Sequence, residues 1–122
     1  MNGNILADTS LLINFFNGNS TAKKFLIEAD IWISGITEIE LLSSSNITST
    51  EKRLLKDFLK NTIIIDLLPA IKEIAVDLRI SKTLKLPDAI IAATAIHKNF
   101  PLITYDKAFG KVPELNLVLI EL

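Results

Sequence analysis

Apolar residues recur along this chain in two rhythms. Short apolar runs lie within Asn4–Ala7, Ile31–Ser34, Ile63–Ile65, Leu102–Thr104 and Leu117–Ile120. Between them stand longer stretches with apolar residues three and four apart, the spacing of one helix face. Leu11, Leu12, Phe15 and Phe16 form the first such stretch, and Ala22, Phe25, Leu26 and Ala29 the second, with Asn17-Gly18-Asn19 as the break. Ile36–Leu42 reads as a helix, and Glu51–Leu59 as another with Leu54, Leu55, Phe58 and Leu59 on one face. Ser43-Ser44-Ser45-Asn46 between them is a turn signal. Pro69 opens a helix with Ile71, Ile74, Ala75 and Leu78 inward, and Pro87 opens one over Asp88–His97. The β-branched run Ile63-Ile64-Ile65 predicts a buried strand.

Strands therefore alternate with helices, and the strands are apolar throughout. A strand covered on one face alternates in polarity, whereas one covered on both does not. The pattern predicts a parallel sheet between two helical layers, an α/β three-layer fold. The 122 residues suit a single domain, residues 1–122. In such sheets ligands bind beyond the carboxyl ends of the strands, so the polar groups there are the informative ones.

Composition narrows what those groups can be. Hydrophobic residues make up 49%, yet no apolar run nears the ~18 residues of a membrane span, and the start lacks a signal peptide's positive region. This predicts a soluble, cytoplasmic protein. With no Cys there are no disulfides, thiol catalysis or thiolate metal sites. One histidine excludes two-histidine metal motifs, and His97, nine residues past Asp88, falls half a turn away from it on a helix. Four scattered glycines form no phosphate-cradling loop. A net charge of −1 is not the basic surface of a protein that holds nucleic acid by charge alone. Carboxylates are the main chemistry left, and carboxylates held together call for a hard cation.

Each acid has a structural reading beside the chemical one. Asp8 follows the first strand and reads as a helix N-cap. Asp106 follows the fourth and reads as a turn residue. Asp88, beside Pro87, complements a helix start, but Ile91, Ala92 and Ala95 share its face, so it should be partly buried. Thr37-Glu38-Ile39-Glu40 fits a capping box. Glu38 and Glu40 lie ~200° apart on a helix, so one of the two faces inward, and periodicity leaves the choice open. Asp66 ends the third strand, which falls at an edge if the sheet winds outward from its middle. Arg79, Lys82 and Lys85 follow helical spacing before Asp88, as phosphate contacts or as a solvated ridge. Trp32 and the phenylalanines read as core, with Phe15 or Phe16 alternatively a protein contact.

Four stretches carry a resemblance that spans essentially the whole chain. They are Ala7-Asp8-Thr9-Ser10-Leu11-Leu12-Ile13, Ser34-Gly35-Ile36-Thr37-Glu38-Ile39-Glu40-Leu41, Leu84–Ala95 with its Leu86-Pro87-Asp88-Ala89-Ile90-Ile91-Ala92-Ala93 core, and Leu102–Asp106. The sequence resembles the PIN-domain ribonucleases, above all the small VapC-type toxins of bacterial and archaeal toxin–antitoxin pairs. The resemblance implies an acidic quartet of Asp8, Glu40, Asp88 and Asp106, which favours Glu40 over Glu38. It implies sheet order 3-2-1-4-5, Mg²⁺ or Mn²⁺ as cofactor, RNA as substrate, a homodimer and a protein antitoxin. Two other readings compete: an inactive PIN-fold binding module, and a phosphoacceptor signalling domain using Asp66 with Thr104 nearby.

Overall fold

The computed structural model describes residues 3–44 and 47–121. Ser45 and Asn46 of the predicted turn, and the first two residues, lie outside them. The elements run β1 Gly3–Ala7, α1 Thr9–Phe16, α2 Ser20–Ile27, β2 Ala29–Ser34, α3 Gly35–Leu42 and α4 Ser49–Lys60. They continue with β3 Ile63–Ile65, α5 Pro69–Lys82, α6 Leu86–Lys98, β4 Leu102–Thr104, a short 3₁₀ helix Lys107–Lys111 and β5 Leu117–Leu119.

The five strands are parallel and ordered β3-β2-β1-β4-β5, as the resemblance implies. Register sets Ala7 beside Ile103 and Ser34 beside Ile65, so the strands end together on one edge of the sheet. β1 is the centre, and its apolar run is divided between two cores. Leu6 packs with Leu102, Ile71, Ala75, Leu78 and the alanines of α6, while Ile5 and Ala7 pack with Leu11, Leu12, Leu26, Leu55 and Leu59. This is the arrangement that unalternating strands require: each successive side chain meets a different helical layer. No helix among the described residues is long and apolar enough to cross a membrane.

β3 is an edge strand with Ile63 exposed, less buried than its β-branched run predicts. That position also argues against the signalling-domain reading, because in the doubly wound order 2-1-3-4-5 the third strand is central. Leu54 is 59% exposed, not part of the inward face of α4. Trp32 sits half-buried at the rim. Its Nε1 donates to Asn4 Oδ1 at 2.9 Å, and its ring packs on Phe100 under Lys98. Of the phenylalanines, Phe109 is fully buried and Phe16 is 42% exposed. His97 is on the surface, as its helical position predicts.

Candidate active site

Each candidate acid is delivered by a separate element to the carboxyl end of the sheet. Asp8 leaves β1 directly and is the N-cap of α1, its carboxylate accepting from the Ser10 backbone at 3.2 Å. It is 4% exposed, and a buried carboxylate needs partners. Ser10 Oγ donates to Oδ2 at 2.6 Å and Thr104 Oγ1 donates to the same oxygen at 2.7 Å. The capping reading of Asp8 therefore holds, and all three of these contacts fall on Oδ2.

Thr104 ends β4, and its hydroxyl also accepts from the Asp106 backbone at 2.9 Å. Asp106 in turn caps the 3₁₀ helix, accepting from the Ala108 backbone at 2.9 Å. Asp88 occupies the first turn of α6, which begins at Leu86. The helix leads back into β4, so its N-terminus lies at the edge where the strands end. Pro87 in that turn costs no hydrogen bond, because the first N–H groups of a helix are unpaired anyway.

Glu40 departs from its capping-box reading. The N-cap of α3 is Ser34, whose Oγ accepts from the Ile36 backbone at 3.2 Å. A capping box does form one helix later, between Thr48 and Glu51. Free of that task, Glu40 accepts through Oε1 from Thr9 Oγ1 at 2.6 Å, which ties α3 to the start of α1. Glu38 instead lines a separate groove with Asp66 and Leu67.

Electrostatics link the acids. The Asp88 carboxyl is pushed up from 3.8 to about 6, by burial first and then by the charges of Asp106, Asp8 and Glu40. Lys85 alone in that set opposes them. The three other acids of the predicted quartet therefore all act on Asp88, and Asp66 is not among the groups that do. Of the three candidate cations, Arg79 is engaged with the Leu84 carbonyl at 3.4 Å, while Lys85 is exposed beside Asp88 in sequence. Among the described residues, no three acids or histidines are drawn close enough together to enclose an ion.

Sequence reasoning missed the hydroxyls. Ser10, Thr104 and Thr9 hold Asp8 and Glu40, and Ser10 Oγ further accepts from the Tyr105 backbone at 3.1 Å. The available signal was the pair of hydroxyl residues directly after the β1 acid and one more directly ending β4.

The PIN domain model matches residues 5–115. The chain belongs to the PIN-domain family. A comparison with curated protein sequences finds no match. Among solved structures, a chain of a toxin–antitoxin complex from Klebsiella pneumoniae shares 34% identity at a TM-score of 0.85, over 97% of this chain and 99% of that one. VapBC2 from Rickettsia felis, bound to a DNA fragment from its promoter, matches at 24% and 0.82 over 95% and 98%. DNA-bound VapBC from Salmonella typhimurium matches at 17% and 0.78 over 97% and 98%. At those last two identities the likeness is one of fold.

Proposed function

We propose that this PIN-domain chain is a divalent-metal-dependent ribonuclease, the toxin of a toxin–antitoxin pair, with Asp8, Glu40, Asp88 and Asp106 as its metal-binding acids. The observation that carries this reading is the Asp88 carboxyl. It is raised to about 6 by burial and by three acids that arrive from three other elements. A fold that gathers like charges at the ligand-binding edge of a parallel sheet keeps a cost that a cation removes.

The donor set fits such an ion. All four candidate ligands are carboxylates, hard oxygen donors that suit Mg²⁺ or Mn²⁺, and the chain has neither a cysteine nor a second histidine to favour a softer metal. When bound, the ion supplies Lewis-acid activation of water and positive charge toward a phosphate. The protein's own part is positioning. Asp8 is locked by two hydroxyls on Oδ2. Asp88, its carboxyl raised to about 6, would have to give up its proton to solvent in order to hold a cation, which would make metal affinity rise with pH. Lys85, whose charge acts on Asp88, offers a cation toward substrate phosphate.

The identity of 34% to a chain of a toxin–antitoxin complex supports an antitoxin partner for this chain as well. An antitoxin and a second copy both require open apolar surface. The described residues include such surface: Phe16 beside Phe15 and Phe58 on α1 and α4, and Val76, Ile80 and Leu86 on α5 and α6. The test of the activity is end-mapping of total RNA incubated with purified protein in Mn²⁺ or in EDTA. New ends in Mn²⁺ alone are the expected result. The same ends in EDTA would overturn the metal-dependent reading.

A further inference from the structure

A net charge of −1 says nothing of where the charges lie. The acids that act on Asp88 belong to the candidate site, and a group of cations stands apart from them on α4, Ser49–Lys60. At 3.6 residues per turn, Lys52, Arg53, Lys56 and Lys60 fall within an arc of about 100° on that helix. All four are exposed. Leu55 and Leu59, on the adjoining arc, are buried in the core beneath. Phe58, ~170° from the centre of the stripe, packs on Phe15 and Phe16 of α1. The stripe therefore lies on the flank of α4 turned away from α1.

Solvation alone does not account for this face. A solvated helix gains from opposite charges three and four residues apart, and like charges at that spacing weaken it. Lys52 with Lys56 and Lys56 with Lys60 are like pairs at a spacing of four, and Arg53 with Lys56 at a spacing of three. Lys52 also closes the first turn, where the helix dipole disfavours a cation. The acids of α4 offset little of this. Glu51 is committed to the capping box, its Oε1 accepting from the Thr48 backbone at 3.2 Å. Asp57 stands 3.7 Å from Lys60, and among the described residues that is the one ion pair on α4. Lys52, Arg53 and Lys56 are left without a carboxylate partner there. α4 leads into β3, which runs parallel to the other strands, so the helix runs back from the edge where the strands end. Its first turns, with Lys52 and Arg53, are its part nearest the acids, and it packs on α3, which carries Glu40.

We infer that this stripe on α4 holds the phosphate backbone of RNA flanking the point of cleavage. The inference rests on the ribonuclease reading above, which supplies the polyanion. A row of unpaired cations binds a phosphate chain by charge and counterion release, without reading its bases. α4 adds affinity and touches no reacting atom.

The test compares wild type with Lys52→Gln, Arg53→Gln and Lys56→Gln, singly and combined. A control combines Lys23→Gln, Lys24→Gln and Lys72→Gln, exposed cations on α2 and α5, and lowers the net charge equally. Binding of a labelled single-stranded RNA is followed by fluorescence anisotropy in Ca²⁺ over a series of KCl concentrations. On single strands each phosphate contact contributes about 0.7 to the slope of log affinity against log salt. Each single change should lower the slope by about 0.7, and the combined variant by about 2, with binding roughly 10- to 100-fold weaker at low salt. In Mn²⁺ the combined variant should cut RNA with a raised KM and an unchanged kcat. The control should keep the wild-type slope. Thermal melts establish folding, and the single variants carry the test if the combined one does not fold. Wild type that cuts RNA, with α4 variants that keep its salt slope, overturns the stripe and leaves the ribonuclease reading standing. A control that lowers the slope as much overturns the stripe too. A polyglutamate peptide that binds wild type as tightly as the RNA assigns the stripe to an acidic protein segment and overturns the assignment to RNA. Wild type that neither binds nor cuts RNA overturns both readings together.

Discussion

Replacing Asp88 with asparagine should stabilise the metal-free protein. Asparagine keeps the shape of the side chain and removes the charge. In the folded chain the carboxyl is raised from 3.8 to about 6, by burial first and then by Asp106, Asp8 and Glu40. At ~1.4 kcal/mol per pH unit, the ionised form costs at most about 3 kcal/mol. Asp88 is half-buried, so solvent screening reduces this to roughly 1.5 kcal/mol. The sign follows from proton counting. Between pH 3.8 and about 6 the folded state binds more protons than the unfolded state. The group's contribution is then fully present below pH 3.8 and is lost as pH rises through about 6. Urea unfolding in EDTA should show Asp88→Asn more stable than wild type at pH 7.5 and equal to it near pH 3.5. For a domain of this size the difference corresponds to about 5 °C in melting temperature. Asp88→Asn that is less stable than wild type by about 1 kcal/mol at pH 7.5 would refute the reasoning, because Asp88 would then be serving its helix and not crowding other acids.

Further outcomes follow from the same structure. Phe109→Ala empties a fully buried site beneath the 3₁₀ helix and should cost about 3–5 kcal/mol in urea unfolding. Thr83 holds a left-handed φ of 56° after α5, so Thr83→Asn should raise stability by about 0.5–1 kcal/mol by the same assay. If the face bearing Ile80, which is 78% exposed, joins two copies, Ile80→Asp should give a monomer by light scattering while the wild type is a dimer.

The parts of this fold that were legible in the sequence are those where one periodicity acts alone. β1 and β4 are apolar on both faces because helices cover both, and the Pro69 and Pro87 helix starts are local chemistry. Sheet order and the preference for Glu40 came from family resemblance, since neither is encoded in local spacing. Tertiary context defeated the rest. Ile63 looks buried by composition and is exposed because β3 is at an edge. Leu54 follows the apolar rhythm of α4, but the face that meets the sheet is narrower and takes Leu55 and Leu59. Thr37 and Glu40 have capping-box spacing, yet Ser34 begins the helix one turn earlier, which frees both side chains for α1. The Ser10 hydroxyl meets Asp8 from two residues away, but Thr104 reaches Asp8 across 96 residues of chain, and local spacing places its hydroxyl at a strand end without giving it that partner.

The most direct test is single-turnover RNA cleavage in saturating Mn²⁺ by wild type beside Asp8→Asn, Glu40→Gln, Asp88→Asn, Asp106→Asn and Asp66→Asn. Each protein is first confirmed folded by its thermal melt. Loss of each of the first four acids should slow cleavage by about 100-fold or more, and EDTA should abolish it in wild type. Asp66→Asn, at the end of the edge strand and outside the groups that act on Asp88, should cut like wild type. Cleavage by Asp88→Asn at the wild-type rate, or cleavage that survives EDTA, would contradict the account.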